Sequence, residues 1–211
     1  VIADEEYTYS DGNQLYNWDG NYYGLITSRT ALAQSRNIPA VKMFKSVDNA
    51  SIRKFVTSLG LHPEEYLHEA HAIGGYNGES PLSMAAAYAT FGNNGTYNEP
   101  YSFTKVVYRD TGKSFTHKSV SQKAMSSETA YMISDMLITT SKVAVGAYSY
   151  INGYSYAAKS GTSNFDDKTK AANNLSYDAI NDLWLVGYTD QYTISVWYGY
   201  DKIDSAHYSH F

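Results

Sequence analysis

Residues 159–164 read Lys-Ser-Gly-Thr-Ser-Asn and combine an ammonium group, hydroxyl groups and a glycine in one short stretch. If this stretch is a strand, its side chains alternate between two faces, so that Ser160, Thr162 and Asn164 share one face. The lysine then lies on the opposite face, and Gly161, which has no side chain, lets a ligand backbone approach closely. An anionic, peptide-like substrate needs hydroxyls, a free backbone N–H and a nearby ammonium, and we predict that this strand binds one.

A second polar group, Ser35-Arg36-Asn37, stands between two segments that favour helices. The four residues before it are good helix formers, and Pro39 is favoured in the first turn of a new helix. Because a residue before proline is biased away from the helical region, Ile38 is expected to be extended. We predict a tight corner that holds short polar side chains toward a cleft. Each motif alone also fits a plainer interpretation, a helix cap or a lysine beside a glycine turn, so the two indicate a site only together.

Both motifs must be positioned by the elements that the rest of the sequence predicts. Periodicity and capping residues indicate helices over residues 27–34, 39–47, 50–59, 82–91 and 128–140. Strands are indicated over residues 103–108, with a return strand from residue 114, and over residues 156–162, 182–189 and 193–200. Helices before and strands after are typical of the α+β class, with helices packed on an antiparallel sheet. A chain of 211 residues is the size of one domain.

Particular residues are expected to mark the ends of these helices. Asn49 is predicted to cap the third helix, and Gly60 is predicted to end it. Ser80 and Ser126 are predicted to cap the next two helices, the first of which is rich in small residues and is expected to be buried. The core face of the last helix is predicted to hold Tyr131, Met132, Met136 and Leu137. Loops are predicted over residues 1–26, 143–155 and 165–181.

Composition argues against several classes of function. The net charge is −5 and there is no basic block, so nucleic acid is not expected as a partner. The sequence has no cysteine, and no apolar run reaches the roughly 18 residues that a membrane-spanning helix needs. The spacing of His62, His68 and His71 invites a metal site, but there is no well-placed trio of carboxylates to complete it. We therefore expect no metal and no other cofactor.

The two polar motifs, in this order, resemble the second and third motifs of the penicillin-recognising serine enzymes. The surrounding sequence is similar to the later part of the transpeptidase domain of the class A, bifunctional penicillin-binding proteins. The segments that carry this likeness are residues 17–19, 23–24, 28–33, 74–75, 80–85, 182–189 and 196–201. The resemblance covers nearly the whole chain and implies the α+β fold of the penicillin-binding protein and β-lactamase-like transpeptidases, incomplete in this chain. At position 160 many members have threonine, and the serine found here keeps the hydroxyl group.

The resemblance implies catalytic roles for three residues. Ser35 would relay a proton toward the leaving amine, and Asn37 would hold the amide of the substrate. Lys159 would polarise Ser35 and attract the terminal carboxylate of the substrate.

The resemblance also implies that residues 160–164 bind the substrate. Ser160 and Thr162 would donate hydrogen bonds to the terminal carboxylate, and the backbone N–H of Thr162 would form half of an oxyanion hole. Gly161 and Asn164 belong to the same binding strand.

The first motif of the family, Ser-x-x-Lys, carries the nucleophile and should precede Ser35. Residues 1–34 contain no such match, and the two matches that start at Ser51 and Ser102 come in the wrong order. We therefore expect residues 1–211 to be the C-terminal portion of a transpeptidase domain. The upstream portion, with the nucleophile, is expected outside this chain and could be a separate polypeptide. A segment outside the chain would anchor the protein at the extracytoplasmic face of the bacterial membrane.

The function implied by the resemblance is peptidoglycan cross-linking by D,D-transpeptidation through a serine acyl-enzyme. The partners would be stem peptides, with a D-Ala-D-Ala donor and an amine acceptor, and β-lactam antibiotics would inhibit the reaction. Two alternatives remain open from the sequence. One is a D,D-carboxypeptidase or serine β-lactamase, which shares the motifs. The other is a non-catalytic module that senses β-lactams or binds the cell wall.

Overall fold

The computed structural model describes residues 1–76, 78–143 and 153–210, which form helices and antiparallel strands. The helices are α1 (Ser28–Ala33), α2 (Asn37–Lys45), α3 (Asn49–Ser58), a 3-10 helix (Glu69–Ile73), α4 (Pro81–Gly92), α5 (Ser127–Val143) and α6 (Asp167–Asn173). The strands are β1 (Ile2–Asp4), β2 (Tyr7–Thr8), β3 (Gln14–Leu15), β4 (Gly24–Ile26), β5 (Thr96–Asn98), β6 (Lys105–Val107), β7 (Ser114–Thr116), β8 (Ser121–Lys123), β9 (Ala157–Asn164), β10 (Ala179–Tyr188), β11 (Thr193–Gly199) and β12 (Ser209–His210). None of the helices in these described ranges has the length and apolar character needed to cross a bilayer.

The largest sheet is antiparallel and is built around β10, which pairs with β9, β11 and β12. In this register Ser160 lies opposite Leu185, and Thr162 lies opposite Leu183. The pairing of β9 with β10 shifts between Ile180 and Asp182, where one extra residue forms a bulge. The prediction of helices combined with an antiparallel sheet is confirmed.

A layer of helices covers one side of this sheet. Helix α5 packs against β9, α1 packs against α5, and α4 contacts both β10 and β11. The core between these elements is formed by Leu137, Ala157 and Tyr188. The partly buried side chains around it are Leu32, Tyr88, Phe91, Ile133 and Ile138. This core fixes the position of β9, and with it the Lys-Ser-Gly-Thr stretch, relative to α1.

A second core holds α2 against the N-terminal segment. Leu15, Ile38 and Val41 are buried there, and Tyr7, Tyr9, Tyr22 and Ala72 pack around them. The N-terminal residues, predicted to be mostly loop, contain two short antiparallel pairs, β1 with β4 and β2 with β3. The segment is joined to the corner at Asn37 by hydrogen bonds to Asn17 and Tyr16.

The expected starts of two helices are corrected. Helix α2 begins at Asn37 and not at Pro39, so Ile38 is helical. Proline is tolerated at the third helical position because the first N–H groups of a helix have no intrahelical partner. The N-cap of α3 is Asp48, whose carboxylate accepts from Ser51 N at 2.8 Å, and not Asn49.

The buried faces of two helices also differ from expectation. In α5, Leu137 is buried, but Tyr131 is 73% exposed and Met132 is 57% exposed. Apolar residues lie on more than one face of this helix, so periodicity alone could not select the face that packs. In α4 the buried residues lie in the second half, and Leu82 is exposed.

The predicted loops are only partly irregular. The polar stretch over residues 165–181 contains the short helix α6, which Asp166 caps by accepting from Thr169 N at 2.7 Å. The predicted loop over residues 143–155 lies mainly in residues 144–152, outside the described residues. The prediction of strands at residues 156–162, 182–189 and 193–200 is confirmed, with shifted ends.

Candidate active site

Ser35 ends helix α1 in a left-handed backbone conformation, with φ of +52°. The N–H of Ser35 donates to Leu32 O at 3.1 Å, and the N–H of Arg36 donates to Ala31 O at 2.9 Å. This pair of hydrogen bonds is the Schellman ending of a helix, in which glycine usually occupies the position held here by serine. A residue with a Cβ loses about 1–2 kcal/mol in this conformation relative to a right-handed one. The corner therefore keeps a strained serine where a glycine would be more stable.

Asn37 begins helix α2 and lies at the cleft. Because a guanidinium has no hydrogen-bond acceptor, the N-cap Arg36 cannot cap this helix with its side chain. Asn17, from the loop after β3, takes that role: its Oδ1 accepts from Asn37 N at 3.0 Å and from Ile38 N at 3.3 Å. The side chain of Asn37 donates to Tyr16 O at 3.0 Å. The Ser35 end of the corner is thus held by hydrogen bonds to α1, and the Asn37 end by hydrogen bonds to the segment after β3.

Lys159 on β9 reaches across to this corner. Its Nζ donates to Ser35 Oγ at 2.8 Å and to Ser160 O at 2.8 Å, although Ser35 and Lys159 are 124 residues apart in sequence. Burial lowers the pKa of Lys159 below its ordinary value, because desolvation penalises the ammonium form. The sequence predicted that these two residues interact, and the structure places them in direct contact.

A cavity of about 910 Å³ lies between the corner and the exposed face of β9. Ser35 and Asn37 line it from one side, and Ser160, Thr162 and Asn164 line it from β9. The alternation predicted for β9 therefore matches the structure, since the three polar side chains of one face share one cavity. Gly161 also lines this cavity, and a Cβ there would lie 3.3 Å from the Cβ of Trp184 on β10. The glycine thus serves close strand pairing as well as access to the cavity.

Ser163 lies on the other side of β9. Its Oγ donates to Asp182 Oδ2 at 2.7 Å, and the same carboxylate accepts from Trp197 Nε1 at 2.6 Å and from Asn181 Nδ2 at 2.6 Å. Asp182 therefore links β9, β10 and β11 at the bulge. A second cavity, of about 940 Å³, is lined by Lys159, Ser163 and Trp184 and also by Ser160, Gly161 and Thr162, so it touches residues from both faces of β9.

The remaining candidates from the sequence lie elsewhere. Ser51 is in the first turn of α3, and Ser102 precedes β6; both are within the described residues and line neither of these two cavities. His71 contacts Glu64, with Nε2 and Oε2 3.0 Å apart. Across residues 1–76, 78–143 and 153–210, no group of three or more His, Cys, Asp or Glu side chains could hold a metal ion.

Fold and site together are of the penicillin-recognising serine class, with a Ser-x-Asn corner facing a Lys-Ser-Gly-Thr strand. Residues 1–210 match the family model described as the penicillin binding protein transpeptidase domain. The chain therefore belongs to that family.

Relatives of known name support this assignment. The chain is 46% identical over 202 residues to "Penicillin-binding protein 1A/1B" of Bacillus subtilis, an alignment that covers 94% of this chain and 22% of the relative. It is 37% identical over 213 residues to "Penicillin-binding protein 1A" of Streptococcus pneumoniae, covering 96% of this chain and 29% of the relative. The predicted resemblance to the class A proteins is confirmed. The chain spans less than a third of the length of either relative.

The fold is also found in a solved structure. The penicillin-binding protein PonA1 from Mycobacterium tuberculosis superposes with a TM-score of 0.78 at 22% identity, over 93% of this chain and 53% of that one. The same protein has been solved in complex with penicillin V. At this level of identity the superposition supports the fold.

Proposed function

We propose that residues 1–211 are the C-terminal portion of a D,D-transpeptidase domain that cross-links peptidoglycan stem peptides through a serine acyl-enzyme. The observation that carries this proposal is the 2.8 Å hydrogen bond from Lys159 Nζ to Ser35 Oγ beside the polar face of β9. A buried ammonium next to a hydroxyl makes a proton relay, and the adjacent strand supplies donors for an anionic peptide end. The family membership and the two relatives named above favour the same reaction class.

The reaction proceeds in two acyl transfers. In the first, a serine oxygen attacks the carbonyl carbon of the penultimate D-alanine, and the bond to the terminal D-alanine breaks. The serine proton passes by way of Ser35 to the departing amine. In the second, the amine of a neighbouring stem peptide attacks the ester, its proton returns to the serine oxygen, and the cross-linking amide forms. Asn37 holds the amide of the donor peptide during both steps.

The polar face of β9 binds the donor peptide. Ser160 and Thr162 donate hydrogen bonds to its terminal carboxylate, and Lys159 attracts that carboxylate as a cation. The backbone N–H of Thr162 supplies one donor of the oxyanion hole, where it acts on charge that develops in the transition state. Gly161 and Asn164 shape the same edge. A β-lactam carries an equivalent carboxylate and occupies this edge as an inhibitor.

The nucleophile belongs to a part of the whole protein outside residues 1–211. It must come within hydrogen-bond reach of the relay, because proton transfer requires heavy atoms about 2.6–3.2 Å apart. Ser51 and Ser102 are not proposed as the nucleophile, because neither lines the cavity that contains Ser35. The missing portion, whether in the same polypeptide or a second one, also carries the anchor that holds the enzyme at the extracytoplasmic face of the membrane.

Fluorescent penicillin tests this proposal directly. The full-length protein should be labelled covalently, and peptide mapping by mass spectrometry should place the label on a serine outside residues 1–211. Unlabelled penicillin added first should prevent labelling and serves as the control. Label on Ser51 or Ser102 would show that the nucleophile has been misplaced, and absence of any covalent label would contradict the proposed function.

A further inference from the structure

Arg36, the middle residue of the Ser-Arg-Asn corner, has a side chain that is fully buried in an ionic cluster. Its Nε donates to Asp4 Oδ2 at 2.9 Å, and its Nη1 donates to both carboxylate oxygens of Asp19 at 2.9 and 2.8 Å. Its Nη2 donates to Asn21 O, and the guanidinium lies 4.2 Å from the ring centroid of Tyr23. The planar guanidinium is thus held along both edges and over one face, an arrangement that a lysine cannot reproduce.

Asp4 connects this cluster to the start of helix α2. Its side chain is fully buried, and while Oδ2 accepts from Arg36, Oδ1 accepts from Asn17 Nδ2 at 2.6 Å. Asn17 in turn accepts from Asn37 N through its Oδ1. A closed chain of contacts therefore runs from Arg36 through Asp4 and Asn17 back to Asn37, and it holds the Asn37 side of the corner.

The cluster contains two carboxylates and one guanidinium, and removing these charged groups from water costs folding free energy. Hydrogen bonds from Arg36 lower the pKa of Asp19 to about 2, so Asp19 and Arg36 are both charged at neutral pH. Buried ion pairs of this kind contribute little net stability compared with apolar residues of similar size, and their best-supported use is to specify one geometry. Ser35, the residue directly before Arg36, has a φ of +52°. A strained residue of this kind persists only where its surroundings fix it.

We propose that Arg36, held by Asp4 and Asp19, is a positioning residue for acyl transfer, which keeps the strained Ser35 hydroxyl in line with Lys159. The inference rests on the proposed function. Arg36 acts through Ser35 and does not itself contact the reacting atoms. Its side chain sets where the Ser35 hydroxyl lies, and the reaction depends on that position because misplacement by about 1 Å can cost about 100-fold in rate.

The test compares Arg36→Lys with wild type in the full-length protein, using a chromogenic β-lactam. We expect the first-order acylation constant to fall about 10- to 100-fold. The dissociation constant of the initial complex should change little, because β9 supplies the contacts to the inhibitor carboxylate. The same substitution in a Ser35→Ala background should cause a further loss of less than about threefold, since coupled residues are not additive.

Two further variants complete the design. Arg29→Lys alters another arginine near the corner, one that pairs with Asp135 on α5, and should leave both constants close to wild type. If Arg36→Lys does not fold, Asp19→Asn carries the test: this side chain is 14% exposed, and its loss should slow acylation in the same direction, again only when Ser35 is present.

The outcomes separate this inference from the proposed function. A wild-type protein that is acylated normally, with Arg36→Lys or Asp19→Asn equally fast, overturns the inference alone. So does a loss that is just as large in the Ser35→Ala background, because it would reflect general weakening of the fold. A wild-type protein that is never acylated contradicts the proposed function, and the inference falls with it.

Discussion

At the scale of single residues, the site depends on a serine in a position where helices usually place glycine. Ser35 completes the Schellman ending of α1 with φ of +52°, and its hydroxyl accepts from Lys159. The side chain that supplies this hydroxyl therefore destabilises the backbone at the same position. Such conflicts are typical of functional sites, where strain is tolerated for the sake of geometry.

Replacing Ser35 separates its two contributions. Ser35→Ala and Ser35→Gly both remove the hydroxyl and should slow acylation of the full-length protein by about 10²- to 10⁴-fold, the usual effect of losing a general acid–base group. Their stabilities should differ, because glycine adopts the left-handed conformation freely. We expect Ser35→Gly to unfold with a free energy about 1 kcal/mol higher than Ser35→Ala in thermal or urea denaturation.

The expected acylation rate and the expected stability difference can each be contradicted separately. Acylation at the wild-type rate in a stable variant would remove Ser35 from the mechanism. Equal stability of the alanine and glycine variants would mean that the left-handed conformation carries no strain.

At the scale of elements, the relay exists only because β9 and the corner between α1 and α2 meet. Helix α5 packs on β9 and α1 packs on α5, so the helical layer determines the distance from Lys159 to Ser35. Burial at this junction lowers the pKa of Lys159 from its ordinary value of 10.5. The ammonium therefore costs folding free energy at neutral pH, and this cost fades as pH rises from the folded-state pKa toward 10.5.

The same shift predicts the pH dependence of acylation. If the cationic form of Lys159 attracts the carboxylate, the rate should decline as pH rises through the lowered pKa, and this decline should begin below pH 10.5. Lys159→Arg keeps the positive charge, so its alkaline decline should move to higher pH even if its overall rate is lower. Second-order acylation constants measured across alkaline pH for both proteins test this. An identical alkaline decline in both would assign it to another group.

Local sequence signals explain which elements could be predicted. Ser80 followed by proline and the alternation along β9 predicted real elements because they act over a few residues. The start of α2 was misplaced because its cap comes from Asn17, which is distant in sequence. The ionic cluster could not be predicted for the same reason: no spacing in the sequence connects Asp4 with Arg36.

At the scale of the whole molecule, the site joins two parts of the chain that are built separately. The N-terminal strands and α2 form one core and present Asn37, whereas α1, which ends at Ser35, packs with the helices of the sheet. The sheet and its helices form another core and present Lys159 and Thr162. The cavity of about 910 Å³ between them is the space in which the proposed donor peptide binds. In the proposed reaction, the outer face of β9 binds the substrate carboxylate within this cavity.

Second-order acylation constants for Thr162→Val and Ser163→Ala, measured on the full-length protein, test that claim most directly. Valine keeps the shape and the backbone N–H of Thr162 but removes a hydrogen bond to a carboxylate, worth about 1.5–3 kcal/mol. We expect a loss of roughly 10- to 100-fold in acylation by β-lactams that carry this carboxylate. Ser163→Ala, on the opposite face, should acylate at close to the wild-type rate. An unchanged acylation constant for Thr162→Val together with a reduced constant for Ser163→Ala would mean that the substrate binds to the face of β9 that carries Ser163. If neither variant changes the constant by more than about twofold, β9 is not the binding edge.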